Sequence, residues 1–212
     1  MTGFGRRVVL WRHGQTLWNV ERRFQGHTDV PLDPDGRTQA ERAAARLAAL
    51  EPTAIVSSDL SRATATAQAL ASRVRLPVGV DDRLRERSGG SWEGLTGEEI
   101  RVKYPDAWAV WEPEDGESEA FVGHRVAAGI KAAVSALAPG GLLVIASHGG
   151  AIRAGIGWLL GLDVSAWRLL GPLSNGAWSV LGEAPQGWEP AGWRLLEHNA
   201  GTLPEPALSD DR

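Results

Sequence analysis

Two histidines stand directly beyond apolar runs of the sequence. His13 follows the run RVVLW (residues 7–11), with Arg12 between them, and His148 follows the run LLVIAS (residues 142–147). A neutral imidazole can act as a nucleophile, whereas a protonated one can donate a hydrogen bond or a proton. If the two runs are neighbouring strands, both rings reach the same edge of a sheet, where open α/β sheets bind their ligands.

Arginines near these runs indicate an anionic ligand. Arg12 precedes His13, and Arg62 falls in the first turn of the helix predicted after the run AIVSS (residues 54–58). A guanidinium fork matches the oxygens of a phosphate, and the amides at a helix N-terminus also favour an anion. Each residue alone has an ordinary explanation, since most such histidines and arginines are structural or surface groups. Their convergence on three strand ends favours a phosphate site.

The elements that position these residues follow the pattern of a parallel sheet. The run VGV (residues 78–80) joins the three runs above as a fourth strand, and all four are apolar enough to be buried on both faces. Helical stretches separate the strands, at residues 34–50, 60–74, 118–137 and 150–162. Such alternation predicts an α/β fold, in which a mainly parallel central sheet is flanked by helices on both faces.

Local signals set several boundaries. Asp33 followed by Pro34 predicts an N-cap and a first helical residue, and Thr96 with Glu99 forms a capping box. Residues 88–118 are rich in Gly, Glu and Trp and poor in strand signal. This stretch is therefore predicted to be an excursion from the sheet, or a lid.

Composition places the chain among ordinary globular proteins. Of its 212 residues, 43% are hydrophobic and 23% are charged, which is enough for one sizeable core. We predict a single domain over residues 1–198, followed by a disordered tail over residues 199–212. The formal net charge of -4 argues against nucleic acid as a partner, so the arginines are expected to form a local anion site.

Cysteine usage and hydropathy indicate the compartment. The sequence has no cysteine, so it has neither disulfides nor thiolate metal ligands. The residues before His13 lack the apolar segment of a signal peptide, and no apolar run approaches the roughly 20 residues that span a bilayer. We therefore predict a cytoplasmic protein with no membrane partner.

Six blocks of the sequence occur together in one known family. The sequence resembles the histidine phosphatase superfamily, in the branch that includes cofactor-dependent phosphoglycerate mutases, through the blocks LWRHGQTLWN, FQGHTDVPLDPDG, SSDLSRATATA, DRLRERSGGSWEGLT, DGES and ASHGG. The RHG motif alone is moderately specific, whereas six blocks in register are highly specific. The resemblance runs from Val8 to Asn175 and implies the phosphoglycerate mutase-like fold.

The resemblance implies a role for each residue that matches the family's motifs. His13 would be the nucleophile that becomes phosphorylated, and Glu86 would be the proton donor to the leaving group. Arg12, Arg62 and His148 would form the phosphate pocket. No metal or cofactor is implied. Further substrate contacts are implied for Asn19, Gln25 and Gly149.

Glu86 also has a plainer explanation, since in the segment RLRER it could simply pair with a neighbouring arginine. Two positions depart from the family's pattern, one directly after the RHG motif and one close to Glu86 in the sequence. Gln15 replaces the more usual glutamate after RHG, which should not affect the chemistry, and Gly89 stands where the family usually has an aromatic or large apolar residue. We expect Gly89 to leave more room or more flexibility beside Glu86, in the region of the leaving group.

Three functions are compatible with these residues. A phosphatase transfers the phosphoryl group from His13 to water, a cofactor-dependent phosphoglycerate mutase returns it to another hydroxyl group, and a non-catalytic scaffold only binds phosphate. The segment Glu-Arg-Ser-Gly-Gly and the compact stretch between Glu86 and His148 favour the phosphatase over the mutase. The presence of both His13 and Glu86 argues against the scaffold.

The blocks look most like those of actinobacterial members of the family, which include glucosyl-3-phosphoglycerate phosphatases. This resemblance implies that the substrate is a small phosphorylated metabolite, such as glucosyl-3-phosphoglycerate or another sugar or glycerate phosphate. It also allows a homodimer, because relatives often pair through their sheet edges.

Overall fold

A six-stranded sheet forms the framework of the protein. The computed structural model describes residues 5–184, 187 and 192–201. The strands are β1 (Arg7–Arg12), β2 (Ala54–Ser57), β3 (Val78–Val80), β4 (Leu142–Ser147), β5 (Trp178–Glu183) and β6 (Trp193–Ala200). They lie in the order β3-β2-β4-β1-β5-β6, so the first and fourth strands are central.

Strand pairing confirms the mainly parallel sheet. β1 pairs in parallel with β4, and β2 pairs in parallel with both β3 and β4. Beyond β1, β5 pairs antiparallel with β1 and β6 pairs antiparallel with β5. The sequence pattern does not predict these two strands. Their sequences, WSVLGE and WRLLEHNA, mix apolar with polar residues, and no residue of β6 is fully buried. They therefore lack the continuous apolar pattern that marks the four parallel strands.

Seven α-helices occur in the part of the chain that the structure describes. They are α1 (Leu17–Val20), α2 (Pro34–Ala48), α3 (Ser61–Val74), α4 (Gly97–Lys103), α5 (Pro105–Val110), α6 (Glu119–Ser135) and α7 (Gly149–Leu159). Short 3₁₀ segments cover Asp82–Leu84, Gly90–Trp92 and Val164–Leu169. The predicted starts of α2 and α4 are confirmed, with Asp33 as an N-cap and Thr96 in a capping box. None of the described helices is long and apolar enough to cross a membrane.

Alternate residues of β1 face two separate layers of helices. Val8 and Leu10 pack in a core with residues of α6 and α7, whereas Val9 and Trp11 pack with residues of α2 and α3. Because side chains alternate across a strand, each face of the sheet is covered by its own pair of helices. The prediction of helices on both faces is confirmed.

Residues 88–118 form an excursion from the sheet, as predicted, but they contain regular structure. The helices α4 and α5 lie in this stretch. Phe24, Trp92 and Trp111 form a separate apolar cluster there, in which Trp92 is fully buried. The tryptophans of the excursion are thus mainly packing residues.

The predicted start of the C-terminal tail needs a correction. Asn199 and Ala200 belong to β6, where Ala200 pairs with Trp178 of β5. Pairing with a neighbouring strand orders these two residues, which composition alone assigns to the tail. Residues 202–212 of the predicted tail lie outside the described residues, and the single domain over residues 1–198 stays a prediction.

Candidate active site

The two central strands bring the two predicted histidines together. Arg12 at the end of β1 is aligned with Ser147 at the end of β4, so the residues that follow meet at one edge of the sheet. The backbone N–H of His13 donates to the carbonyl of Ser147 at 3.0 Å. The ring centroids of His13 and His148 lie 5.2 Å apart, with an angle of 62° between the ring planes.

His13 is held as a neutral ring in one tautomer. It is buried, and its Nδ1 lies 2.7 Å from the carbonyl oxygen of Gly14. A carbonyl only accepts hydrogen bonds, so Nδ1 carries the proton and Nε2 has the lone pair. Burial, followed by the charges of Arg62 and Arg12, holds the pKa of His13 well below its ordinary value of 6.5. The site therefore presents an unprotonated Nε2.

Gly14 of the RHG motif is required by a close approach of two backbones. A Cβ atom at Gly14 would lie 2.1 Å from the carbonyl oxygen of Gly36 in α2. The N–H of Gly14 donates to the hydroxyl of Thr66 in α3 at 3.2 Å. The carbonyl that orients His13 is thus held between two helices, and no side chain fits at this position without moving the backbone.

Arg62 and His148 are buried partners. The Nε of Arg62 donates to Nδ1 of His148 at 3.2 Å, which places the proton of the neutral ring on Nε2. That Nε2 lies 2.9 Å from the hydroxyl oxygen of Ser58. Burial, followed by the charge of Arg62, lowers the pKa of His148 well below its ordinary value of 6.5. His148 is therefore neutral, and both of its ring nitrogens have partners.

Backbone carbonyls orient the guanidinium of Arg62. It donates to the carbonyls of Thr28 at 2.9 Å and Gly26 at 2.8 Å. Glu93, in the excursion, accepts from the backbone N–H groups of His27 and Thr28, each at 2.9 Å. The excursion thus holds the loop that orients this arginine.

Arg12 and Asn19 each keep a buried donor atom that has no hydrogen-bond partner among the described residues, namely Nε of Arg12 and Nδ2 of Asn19. Both side chains are otherwise anchored. Arg12 donates to the carbonyl of Leu173, and Nδ2 of Asn175 lies 3.1 Å from the carbonyl oxygen of His13 and 3.2 Å from Oδ1 of Asn19. A buried donor without a partner is costly, so these atoms favour a ligand with acceptor oxygens.

The carboxylate of Glu86 lies at the N-terminus of α7. It accepts hydrogen bonds from the backbone N–H groups of Ala151 at 2.7 Å, Arg87 at 2.9 Å and Gly150 at 3.1 Å. These contacts and the positive end of the helix stabilise a charged carboxylate. A neighbouring arginine of the same segment, Arg85, pairs with Asp59 instead.

A pocket beside His13 contains most of the predicted site residues. Its lining includes Arg12, His13, Gln25, Arg62 and Glu86, together with Phe24, Arg87, Trp111, Arg153 and Trp167. The side-chain oxygen of Gln25 also accepts from Thr16 at 2.9 Å. Gly149 is the first residue of α7, and it is its neighbour Gly150 that lines the pocket. Among the described residues, no group of three or more His, Asp or Glu side chains could hold a metal ion.

Comparison with known proteins agrees with this geometry. The profile of the histidine phosphatase superfamily (branch 1) matches residues 8–196. The chain belongs to this superfamily.

Relatives within the histidine phosphatase superfamily cover nearly the whole chain. The glucosyl-3-phosphoglycerate phosphatase of Mycobacterium tuberculosis (strain H37Rv) is 42% identical in an alignment 211 positions long, which covers 92% of this chain and 95% of the relative. The enzyme of the same name from Mycolicibacterium vanbaalenii is 40% identical, with the same coverage. A probable phosphoglycerate mutase, GpmB, from Yersinia enterocolitica is 35% identical over 96% of this chain and 97% of the relative.

Solved structures of the superfamily share the fold. A mycobacterial glucosyl-3-phosphoglycerate phosphatase in complex with VO3 superposes on this chain with a TM-score of 0.85 and 40% sequence identity. The superposition covers 92% of this chain and 100% of that one. The phosphoglycerate mutase-like fold is thereby confirmed.

The space beside Gly89 is filled in this member of the superfamily. A Cβ atom at Gly89 would lie 2.4 Å from Cε1 of Phe24, and Phe24 itself lines the pocket. The expectation of more room beside Glu86 is wrong, because an aromatic ring from another segment occupies the position.

Sequence reasoning missed several residues of this superfamily member's site. Ser58 and Asn175 hold His148 and His13, but each looks like an ordinary polar residue next to an apolar run. Arg153 offers a signal, because it is the only charged residue in the helical segment GAIRAGIGWLLGL. A lone charge in an apolar helix indicates a position with a specific partner or ligand.

Proposed function

We propose that this protein hydrolyses phosphomonoesters without a metal ion, through a phosphohistidine formed at His13. The observation that carries the proposal is the contact between Nδ1 of His13 and Gly14, which leaves Nε2 unprotonated beside Arg12 and Arg62. Water attacks phosphate monoesters extremely slowly, so a site must neutralise the phosphate oxygens and supply a better nucleophile. Buried arginines and a neutral imidazole meet both needs.

In the first step, Nε2 of His13 attacks phosphorus. The N–P bond forms while the bond between phosphorus and the ester oxygen breaks, and Glu86 gives its proton to the leaving oxygen. Glu86 must be protonated at this stage, although three backbone N–H groups favour its charged form. The negative charge of the bound phosphate opposes them and favours the protonated carboxyl group.

In the second step, the ionised Glu86 takes a proton from water, and the water oxygen attacks phosphorus. The N–P bond breaks, which releases inorganic phosphate, neutral His13 and protonated Glu86. The N–H groups at the start of α7 hold the carboxylate in position for this step. Nδ1 of His13 keeps its proton on the carbonyl of Gly14 throughout, so the ring does not change tautomer.

We propose that Arg12, Arg62 and Asn19 bind the phosphate oxygens, with Gln25 as a further contact. The buried donors on Arg12 and Asn19 would find their acceptors there. The resemblance also implies a hydrogen bond from His148 to the phosphate. In this structure its Nε2 contacts Ser58, so that bond requires His148 to exchange one acceptor for the other. A substrate contact at Gly149 stays a prediction.

For the substrate, we propose a sugar or glycerate phosphate, and glucosyl-3-phosphoglycerate in particular. Two relatives that are 40% and 42% identical over nearly the whole chain are glucosyl-3-phosphoglycerate phosphatases. Cationic groups suit an acidic substrate, and the aromatic walls of the pocket suit the apolar face of a sugar ring. The cytoplasmic location, the lack of a nucleic-acid partner and the homodimer stay predictions.

Measurement of inorganic phosphate released from a panel of phosphomonoesters tests this proposal. We expect glucosyl-3-phosphoglycerate to yield one phosphate per molecule without a bisphosphorylated primer. A mutase must instead protect its phosphohistidine from water. Incubation with 3-phosphoglycerate, with and without 2,3-bisphosphoglycerate, separates the two. Primer-dependent formation of 2-phosphoglycerate that outruns phosphate release would favour the mutase, and binding without turnover would favour the scaffold.

A further inference from the structure

Arg153 is a buried cation that the mechanism above does not use. It lies on α7, is only 7% exposed and lines the same pocket as His13 and Glu86. Among the described residues it makes no hydrogen bond, ion pair or ring contact. A guanidinium that faces a pocket and has no acceptor on the protein is available to an anionic ligand. The pocket therefore favours an anionic group next to Arg153.

The acidic residues of the pocket do not supply that partner. The carboxylate of Glu86 accepts three backbone hydrogen bonds at the start of α7. Glu119, at the start of α6, lines the pocket but forms no ion pair with Arg153 in the described part of the chain. Arg87 also lines the pocket. Its guanidinium donates to the backbone carbonyls of Glu117 and Trp111.

The position of Arg153 along α7 indicates where the anion lies. Gly150, Arg153 and Ala154 all line the pocket, because residues three and four apart share one face of a helix. Gly150 contacts Glu86, which protonates the ester oxygen in the proposed reaction. Arg153 follows one helical turn later, about 5 Å along the axis. An anion on Arg153 would thus be close to the ester oxygen but separate from the phosphate.

We propose that Arg153 is a specificity-determining residue, which binds a carboxylate that the substrate carries two carbons away from its ester oxygen. The inference rests on the proposed function, since it assigns the phosphate to Arg12 and Arg62. A planar guanidinium binds a carboxylate through two parallel hydrogen bonds. The phosphoglycerate skeleton has this arrangement of phosphate and carboxylate, whereas a glycerol phosphate has a neutral hydroxymethyl group in place of the carboxylate.

Matched pairs of phosphoesters test the proposal. We compare 3-phosphoglycerate with glycerol 3-phosphate, and their 2-glucosyl derivatives with each other, and we include p-nitrophenyl phosphate. Wild-type enzyme should prefer the carboxylate member of a pair by at least about tenfold in kcat/KM. Arg153→Met should remove most of that preference, chiefly through KM, and change kcat/KM for p-nitrophenyl phosphate less than about twofold. Equal losses for both members of a pair would overturn the proposal.

Two further variants separate a binding role from a structural one. Arg168 is exposed on the segment Val164–Leu169, so Arg168→Met is the control and should keep the full preference. Arg153→Lys keeps the charge but loses the guanidinium fork, and it should give an intermediate preference. If Arg153→Met does not fold, this second variant still decides, because an unchanged preference in Arg153→Lys would contradict bidentate binding.

A binding measurement separates failure of the inference from failure of the proposed function. Calorimetry on the His13→Ala variant compares the affinities for 3-phosphoglycerate and glycerol 3-phosphate without turnover. Tighter binding of 3-phosphoglycerate that disappears when Arg153→Met is added would support the carboxylate site, even if no ester is hydrolysed by the wild type. Equal affinities for the two ligands would refute the site, even if phosphatase activity is present.

Discussion

The Nδ1 atom of His13 lies 2.7 Å from the carbonyl oxygen of the next residue, Gly14. This contact fixes the proton on Nδ1, while burial and two arginines keep the ring neutral. Nucleophilic use of Nε2 thus requires no deprotonation of His13 at neutral pH. The acceptor for Nδ1 is a backbone carbonyl, so no substitution of another side chain in the site removes it directly.

His13 should remain neutral when the pH falls through 6.5, because burial and the charges of Arg62 and Arg12 lower its pKa. The unfolded chain takes up its proton first in this range. The stability contributed by this neutral ring is therefore full above about pH 6.5 and is lost as the pH falls towards the lowered pKa. Imidazole carbon and proton shifts of the free enzyme, assigned with His13→Asn, measure this titration. A midpoint at or above 6.5 would contradict the prediction.

His13→Ala should lower turnover by at least about a thousandfold, because the variant loses the atom that becomes phosphorylated in the proposed reaction. The fold should persist, since the ring lies at a strand end beyond the main cores. The control is His124→Ala, at an exposed position of α6, which should leave turnover unchanged. Phosphate release and circular dichroism provide the readouts, and activity above about a hundredth of wild type would sink the assignment.

Glu86→Gln should damage alkyl phosphates far more than aryl phosphates. The variant keeps the size of the side chain but removes the proton that an alkoxide leaving group needs, whereas p-nitrophenolate leaves without one. Initial rates on glycerol 3-phosphate and p-nitrophenyl phosphate provide the comparison. Equal losses on both substrates would show that Glu86 is not the acid.

Gly14→Ala should destabilise the protein by about 2 to 3 kcal/mol, because the new methyl group would meet the backbone of Gly36. Gly79→Ala is the matched control, since a Cβ there has its nearest neighbour at 3.6 Å. The control should change stability by less than about 0.5 kcal/mol. Urea unfolding of the three proteins measures both values, and similar midpoints for the two variants would refute the close approach.

Chelators should leave the rate unchanged, because in the proposed reaction Arg12 and Arg62 neutralise the phosphate charge that magnesium neutralises in many phosphoryl-transfer enzymes. The measurement is the rate of phosphate release after extensive treatment with EDTA, followed by addition of Mg²⁺, Mn²⁺ or Zn²⁺. Activity that is lost on chelation and restored by one of these ions would contradict a metal-independent reaction.

The parallel strands and the strand-end residues were predictable because they follow local patterns. Continuous apolar runs identify β1 and β4, and the RHG motif directly beyond β1 needs no tertiary information to be noticed. β5 and β6 were not predictable from such patterns, since their sequences, WSVLGE and WRLLEHNA, mix apolar with polar residues. Their place beside β1 is set by long-range pairing.

The contacts within the site depend even more on tertiary structure. The sequence shows that Arg153 is a lone charge in an apolar helix, but not that its face of the helix is the one beside Glu86. Likewise, a glycine at position 89 leaves free space beside Glu86 only if no other segment of the chain fills that space. The ring that fills it belongs to Phe24, which lies 65 residues before Gly89 in the sequence. Local sequence patterns do not show that these two residues are in contact.

Residues far along the chain hold the residues at the end of β1. Arg12 is anchored by the carbonyl of Leu173, and the carbonyl of His13 by the amide of Asn175, across separations of 161 and 162 residues. During synthesis, the residues of the proposed chemistry leave the ribosome before Leu173 and Asn175 do. Until these two residues emerge, the contacts that hold Arg12 and His13 in place cannot form. We therefore expect a chain that stops before Leu173 to lack the anchored nucleophile and to be inactive.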